Sequence, residues 1–297
     1  MLAFLLETVL LPAAVAVILL LCPRLPWSVD VGRRMPAWTG GLALCAAFLI
    51  SLAMVEGSDI WQLSQRWYWL WVSALIVAVA TTFSQTNSSQ RSKGTIDSLP
   101  PREVIPFCIA SMLALFILRM PNHETFWIRT VVAVAGGVAV FLIVKPSLRF
   151  PIMTPAALGA SFFSLAALLA GSGSMKLGIV AMTLGLTAIF ASSFAIIGNR
   201  FSSGPSFSTV AITMSIAFAF YGVSYHDDSP VSVIAWTAIA LAPVIMTVAT
   251  RSRSRAVPIT ALIAVVIVCL VTIIISFRSL NALDSQRMDE ASFTQSL

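Results

Sequence analysis

Charge is what this chain has least of. Only 10% of its 297 residues are Asp, Glu, Lys or Arg, against about 25% in an ordinary soluble domain. Histidine occurs twice and cysteine four times. Cys22, Cys45, Cys108 and Cys269 stand singly without CxxC spacing, which reads as packing rather than disulfide or zinc chemistry. Catalytic signatures are missing too: the chain has no HExxH, GxSxG, GxxxxGK[ST] or acid-rich DxxxD pattern. No cofactor is expected. Long polar segments are also lacking. The two longest, 84–103 and 277–297, are about 20 residues each, whereas lone domains below about 40 residues rarely fold unaided. A soluble enzyme domain has no room here, nor does a nucleic-acid-binding one, so no nucleic-acid partner is expected.

What is present is apolar: 58% of the residues. They fall into ten stretches, 2–22, 37–55, 67–83, 104–119, 127–144, 152–171, 177–198, 206–224, 231–249 and 256–276. At about 1.5 Å per helical residue, about 20 residues cross a hydrocarbon core of about 30 Å. The shorter stretches 67–83 and 104–119 reach that length only with flanking aromatic or neutral residues. The expected fold class is an all-α membrane protein, one polytopic bundle of ten transmembrane helices over 1–297. In it, 84–103 is a mobile cytoplasmic loop and 277–297 a polar tail.

Sidedness follows from the 18 Lys and Arg residues. Alternating the loops puts twelve of them, from Arg24 to Arg255, on one side. The other six (Arg66, Arg119, Arg129, Lys176, Arg278 and Arg287) fall opposite. Basic residues mark cytoplasmic loops, so both termini are expected outside a plasma membrane, and the compact loops suit a bacterial inner membrane. The net charge of +6 is then a topology signal and an anchor to the lipid bilayer. The first stretch lacks a basic leader and a small-residue cleavage site and carries Glu7, so it is read as a retained helix. Two five-helix halves, 1–144 and 152–276, would form an inverted repeat. Pro106 and Pro243 do not support it, because both lie toward the inner face.

Three sets of residues are candidates for chemistry. Glu7 is the lone acid within a predicted span, where acids are costly. It reads either as an interfacial acid complementing the helix dipole or as a coupling carboxylate beside a Pro12 kink that frees the Thr8 carbonyl. His123 and Glu124, with His226, Asp227 and Asp228, fall on the predicted outer side and could bind a divalent cation. Their spacing matches no metal signature. Hydroxyl and small residues form stripes: Ser206, Thr209, Thr213, Ala217, Tyr221 and Ser224 in the eighth span, and Ala157, Ser161, Ser164, Ala167 and Gly171 in the sixth. Such stripes let membrane helices pack closely. Alternatively Ser161, Ser164, Thr209, Thr213 and Tyr221 line a cavity for a neutral or weakly polar solute.

These features fit a small-solute secondary carrier, with a non-catalytic assembly or scaffold subunit second and a membrane-embedded enzyme third. The carrier needs a solvated cavity lined by the stripes. The scaffold needs the same residues fully packed, with apolar ridges left for lipid, a membrane-protein partner or a second copy. Topology is directly testable: reporters fused after Ser89, Arg251 and Leu297 are expected inside, inside and outside. A cytoplasmic Leu297 fusion with the two loops unchanged would mean that the chain crosses the membrane an odd number of times.

Overall fold

Without water, a crossing segment must satisfy its backbone internally, and a single apolar run does so as a helix. The computed structural model describes residues 2–21, 39–57, 69–89, 101–118, 126–197, 203–225, 231–250, 252, 254 and 256–295. Regular structure among them is entirely helical. In chain order it comprises α1 (Leu2–Leu21), α2 (Thr39–Glu56), α3 (Trp69–Ser89), α4 (Pro101–Ile117), α5 (Phe126–Arg149), α6 (Met153–Gly171), α7 (Met175–Ile197) and α8 (Gly204–Tyr225). There follow α9 (Val233–Leu241), a 3₁₀ turn (Ala242–Ile245), α10 (Met246–Ala249) and α11 (Ala256–Gln295).

Local chemistry sets many of the ends. Pro101, Pro155, Pro205 and Pro258 lie in first helical turns, where the missing N–H has no intrahelical acceptor to serve. Ser232 caps α9 by accepting from Ala235 N–H at 3.3 Å. Between α6 and α7, Gly173 takes φ +94°, a backbone region that glycine enters without strain. That turn lets Ser172 and Ser174 N–H bond Leu168 and Leu169 carbonyls, both at 2.8 Å. Helicity does not stop where hydrophobicity does. α3 runs on to Ser89, and α11 is one 40-residue helix, because polar residues without Pro or Gly carry the ladder beyond the apolar stretch.

Six helices are long and apolar enough to cross a membrane: Thr39–Glu56, Phe126–Arg149, Met153–Gly171, Met175–Ile197, Gly204–Ser224 and Ala256–Ser279. They mark the chain as a multi-pass membrane protein. Glu7–Leu21, Trp69–Phe83, Val104–Ile117 and Val233–Ala249 are shorter apolar helices.

The centre of the bundle is α8. Of its membrane-length window 94% is buried, and it packs against α2, α3, α4, α5, α6 and α9. At the periphery is α11, 22% buried over its own window and resting mainly on α6. The α2–α7 and α3–α8 contacts are those a two-fold between halves would place at the axis. The α1–α7 and α6–α11 contacts have no comparable α2–α6 or α1–α5 counterparts. Close approach at the centre depends on glycine. A Cβ on Gly40 of α2 would lie 2.0 Å from the Ser203 carbonyl oxygen, and one on Gly222 of α8 would lie 2.6 Å from the Trp236 ring.

Gly40→Ala is therefore expected to force α2 off α8 and cost about 1–3 kcal/mol, the range for overpacking. Thermal melting of the detergent-solubilised protein should fall by several degrees. An unchanged melting temperature would rule out this close α2–α8 crossing.

Candidate functional site

Prolines inside helices deprive carbonyls of their usual i+4 donor, and two of these carbonyls organise the polar interior. Pro12 removes the N–H that would serve the Thr8 carbonyl, and Pro243 cannot serve the Ile239 carbonyl, which accepts instead from Ala242 N–H in the 3₁₀ turn. Thr8 O is approached by the hydroxyls of Ser51 on α2 (3.3 Å) and Thr183 on α7 (3.4 Å), which are 3.0 Å from each other. Each hydroxyl has one proton. Ser51 can therefore donate to Thr8 O while accepting from Thr183.

The second junction lies where α9 breaks into the 3₁₀ turn. Ser161 on α6 donates to Ile239 O at 2.7 Å, and Ser215 on α8 lies 3.1 Å from Ser161 Oγ and 3.5 Å from Ala240 O. All four residues are buried. The break is held by these side-chain bonds together with the backbone bond from Ala242 N–H to Ile239 O.

Helices α6 and α8 run in the same direction, with α7 returning between them. The Ser161–Ser215 bond fixes their relative depth. Seven residues earlier on each helix, two turns along the same faces, stand Thr154 and Ser208. Both are fully buried, and neither hydroxyl has a hydrogen-bond partner among the described residues. Trp236 Nε1, where the ring lies on Gly222, is likewise buried without a described partner. The α6–α8 seam beside the α9 break thus presents Thr154, Ser161, Ser208 and Ser215, all uncharged. Such a set can hydrogen-bond a neutral solute. Among the described residues there is no group of three or more His, Cys, Asp or Glu that could hold a metal.

The residues expected from the sequence do not form one cavity. Thr213 faces α4, 2.8 Å from Ser111 Oγ, and also donates to Thr209 O at 2.7 Å. Ser206 accepts from Gly41 N–H of α2 at 3.2 Å. Thr209 bonds Pro205 O of its own helix at 2.8 Å, and Tyr221 is fully buried with its ring edge-on to Phe220. This stripe turns toward α2 and α4, away from Ser161. Ser164 bonds Ala160 O of its own helix at 2.8 Å. Glu7 is exposed on α1, which packs on α2 and α7 and stands apart from the α6–α8 seam. His123, Glu124, His226, Asp227 and Asp228 lie outside the described residues.

Thr154, Ser208 and Ser215 do not stand out in the sequence. Ser208, Ser215 and Gly222 recur every seventh residue, a second stripe on α8 that the first stripe masked. Ser51, Ser111 and Thr183 carry no comparable pattern. Compared with protein-family models, curated proteins and solved structures, the chain gives no match.

Ser161→Ala should remove the bonds to Ile239 O and to Ser215 together and cost about 1–3 kcal/mol. Thr209→Ala, which removes only a bond within its own helix, should cost less than about 1 kcal/mol. Equal losses in the two variants, read by thermal melting, would show that Ser161 does not brace the α9 break.

Proposed function

We propose that the protein is a small-solute secondary carrier whose solute site is the α6–α8 seam beside the α9 break. One observation carries the reading: the buried hydroxyls of Thr154 and Ser208 lack described partners, and each stands seven residues before a member of the bonded Ser161–Ser215 pair. A buried polar group without a partner costs about 1–3 kcal/mol. Two at one register therefore favour a ligand that satisfies both. Discontinuous membrane helices are where carriers commonly offer backbone carbonyls to a solute, and α9 is discontinuous beside Ser161 and Ser215. The donor set is neutral, so the solute class is a neutral or weakly polar molecule.

The topology we infer has ten crossings, six by the long helices and four by the shorter ones. Contacts between distant segments agree with that alternation. Glu56 and Lys176 pair at 2.9 Å between ends assigned outside. Gly41–Ser206, Ser192–Ile152 and Arg149–Thr250 join ends assigned inside. Both termini outside follows from the Lys/Arg asymmetry, and the compact loops suit a bacterial plasma membrane.

A non-catalytic scaffold subunit is the second reading, favoured by the packing of the stripes. Ala157, Ser161, Thr209, Thr213, Ala217 and Tyr221 are all fully buried. The flank of α11, with Ile263, Ile267, Leu270 and Ile274 at least half exposed, would suit a membrane-protein partner or a second copy.

Proteoliposomes supplied with labelled polyols, sugars and amides separate the two readings. The carrier should show saturable uptake. Thr154→Val combined with Ser208→Ala should lower it at least tenfold, while the melting temperature holds or rises because unsatisfied groups have been removed. Glu7→Gln should leave uptake unchanged, since Glu7 is remote from the seam. Full uptake in the double variant would displace the site. No uptake, with a membrane subunit co-purifying in native mass spectrometry, would favour the scaffold.

A further inference from the structure

An apolar groove of about 460 Å³ runs down the flank of the bundle between α5 and the broken α9. Val138, Ala139 and Leu142 form one wall, and Leu241, Val244 and Ile245 the other. It is open sideways, with Val138 54% and Leu241 37% exposed. In a membrane protein this flank faces hydrocarbon, so the groove is accessible from the bilayer.

What makes it more than a lipid-facing dent is the helix face that continues from it. On α5 the spacing Val138, Leu142, Lys145, Arg149 keeps to one face of the helix, so two cations follow directly on the groove. Lys145 is exposed and makes no hydrogen bond or ion pair among the described residues. Arg149 donates to the Thr250 carbonyl and, at 3.0 Å, to the Ser252 carbonyl, with its guanidinium 5.6 Å from the centre of the Phe150 ring. A guanidinium has five N–H donors, and these bonds use two. Arg149 is thereby held in place with three donors free, and no carboxylate neutralises either cation among the described residues.

We propose that this groove is a binding site for one anionic phospholipid of the leaflet that holds the C-terminal end of α5. An acyl chain lies between Leu142 and Val244, and the headgroup phosphate is held by Lys145 and Arg149. Basic pockets at the ends of membrane helices recognise anionic headgroups in this manner. The wall opposite α5 is the α9 break, so a bound lipid braces the same 3₁₀ turn that Ser161 holds from inside. The proposal does not depend on the solute reading.

The test adds dioleoyl phosphatidylglycerol or dioleoyl phosphatidylcholine to the protein in neutral detergent and counts retained lipids by native mass spectrometry. The expected result is one tightly held phosphatidylglycerol and no comparable phosphatidylcholine. Lys145→Gln should weaken its retention about fivefold, the value of about 1 kcal/mol per basic residue near a membrane surface. Arg149→Gln should weaken it at least as much. Ala139→Trp, which fills the groove, should abolish retention while both cations remain. Arg278→Gln, which removes an exposed arginine from α11, should change nothing. Three results would overturn the site: equal retention of the two lipids, an equal effect of Arg278→Gln and Lys145→Gln, or normal retention in Ala139→Trp. A dimer that Ala139→Trp splits would instead make the groove an interface between two copies.

Discussion

In a bilayer core a carbonyl that loses its usual i+4 donor has no water to turn to; Pro12 creates one at Thr8, and Pro243 another at Ile239, which the Ala242 N–H serves only by tightening the chain into a 3₁₀ turn. The interior is arranged around these two groups. Thr8 O draws Ser51 and Thr183 to it, which fastens α1 to α2 and α7. Ile239 O draws Ser161, and Ser215 follows, which fastens α9 to α6 and α8. Apolar packing alone distinguishes poorly between one helix neighbour and another in lipid, since the lipid tails are equally apolar. Directional bonds to two fixed carbonyls, together with close crossings at Gly40 and Gly222, select which helices touch and at what depth.

The class of fold was legible because one property, apolar length, decides it. The Thr8 carbonyl was legible too, since the i, i+4 relation to Pro12 is local. What captures it was not. Ser51 and Thr183 lie 43 and 175 residues away, and nothing in a single sequence ties them to Thr8. The hydroxyl stripes were half legible. Helical periodicity correctly groups Ser206, Thr209 and Thr213 on one face, but period says nothing about which neighbour that face meets. It meets α2 and α4, so Ser161 finds Ser215 on the other side of α8. The ends of helices were least legible: α11 passes from apolar to polar sequence without a break.

Polar residues at the rim act differently from those inside. Lys176 and Glu56 pair at 2.9 Å, with the lysine side chain 64% exposed and the glutamate 6%. Most of the gain in that pair therefore lies in sheltering a carboxylate that burial would otherwise penalise. At the opposite end Arg149 is bound to backbone carbonyls rather than to an acid, and its charge remains available to an external anion. Glu56 and Lys176 thus neutralise each other within the protein, whereas Arg149 keeps its charge.

Hydroxyl seams also bear on whether such a bundle can move. Thr183 and Thr213 each lie near a carbonyl of their own helix, Ile179 O at 3.1 Å and Thr209 O at 2.7 Å, as well as near a hydroxyl across the seam. If the helices part, each threonine hydroxyl keeps an acceptor in its local carbonyl. Interhelical hydrogen bonds in membranes average only about 0.6 kcal/mol for this reason. Opening such a contact costs far less than exposing a buried charge. Ser161 is different, because its acceptor is a carbonyl that Pro243 has deprived of the usual donor. Parting α6 from α9 there leaves Ile239 O with the Ala242 N–H alone and Ser161 without the acceptor it uses. The contacts of Thr183 and Thr213 therefore part at less cost than the Ser161 contact at the α9 break.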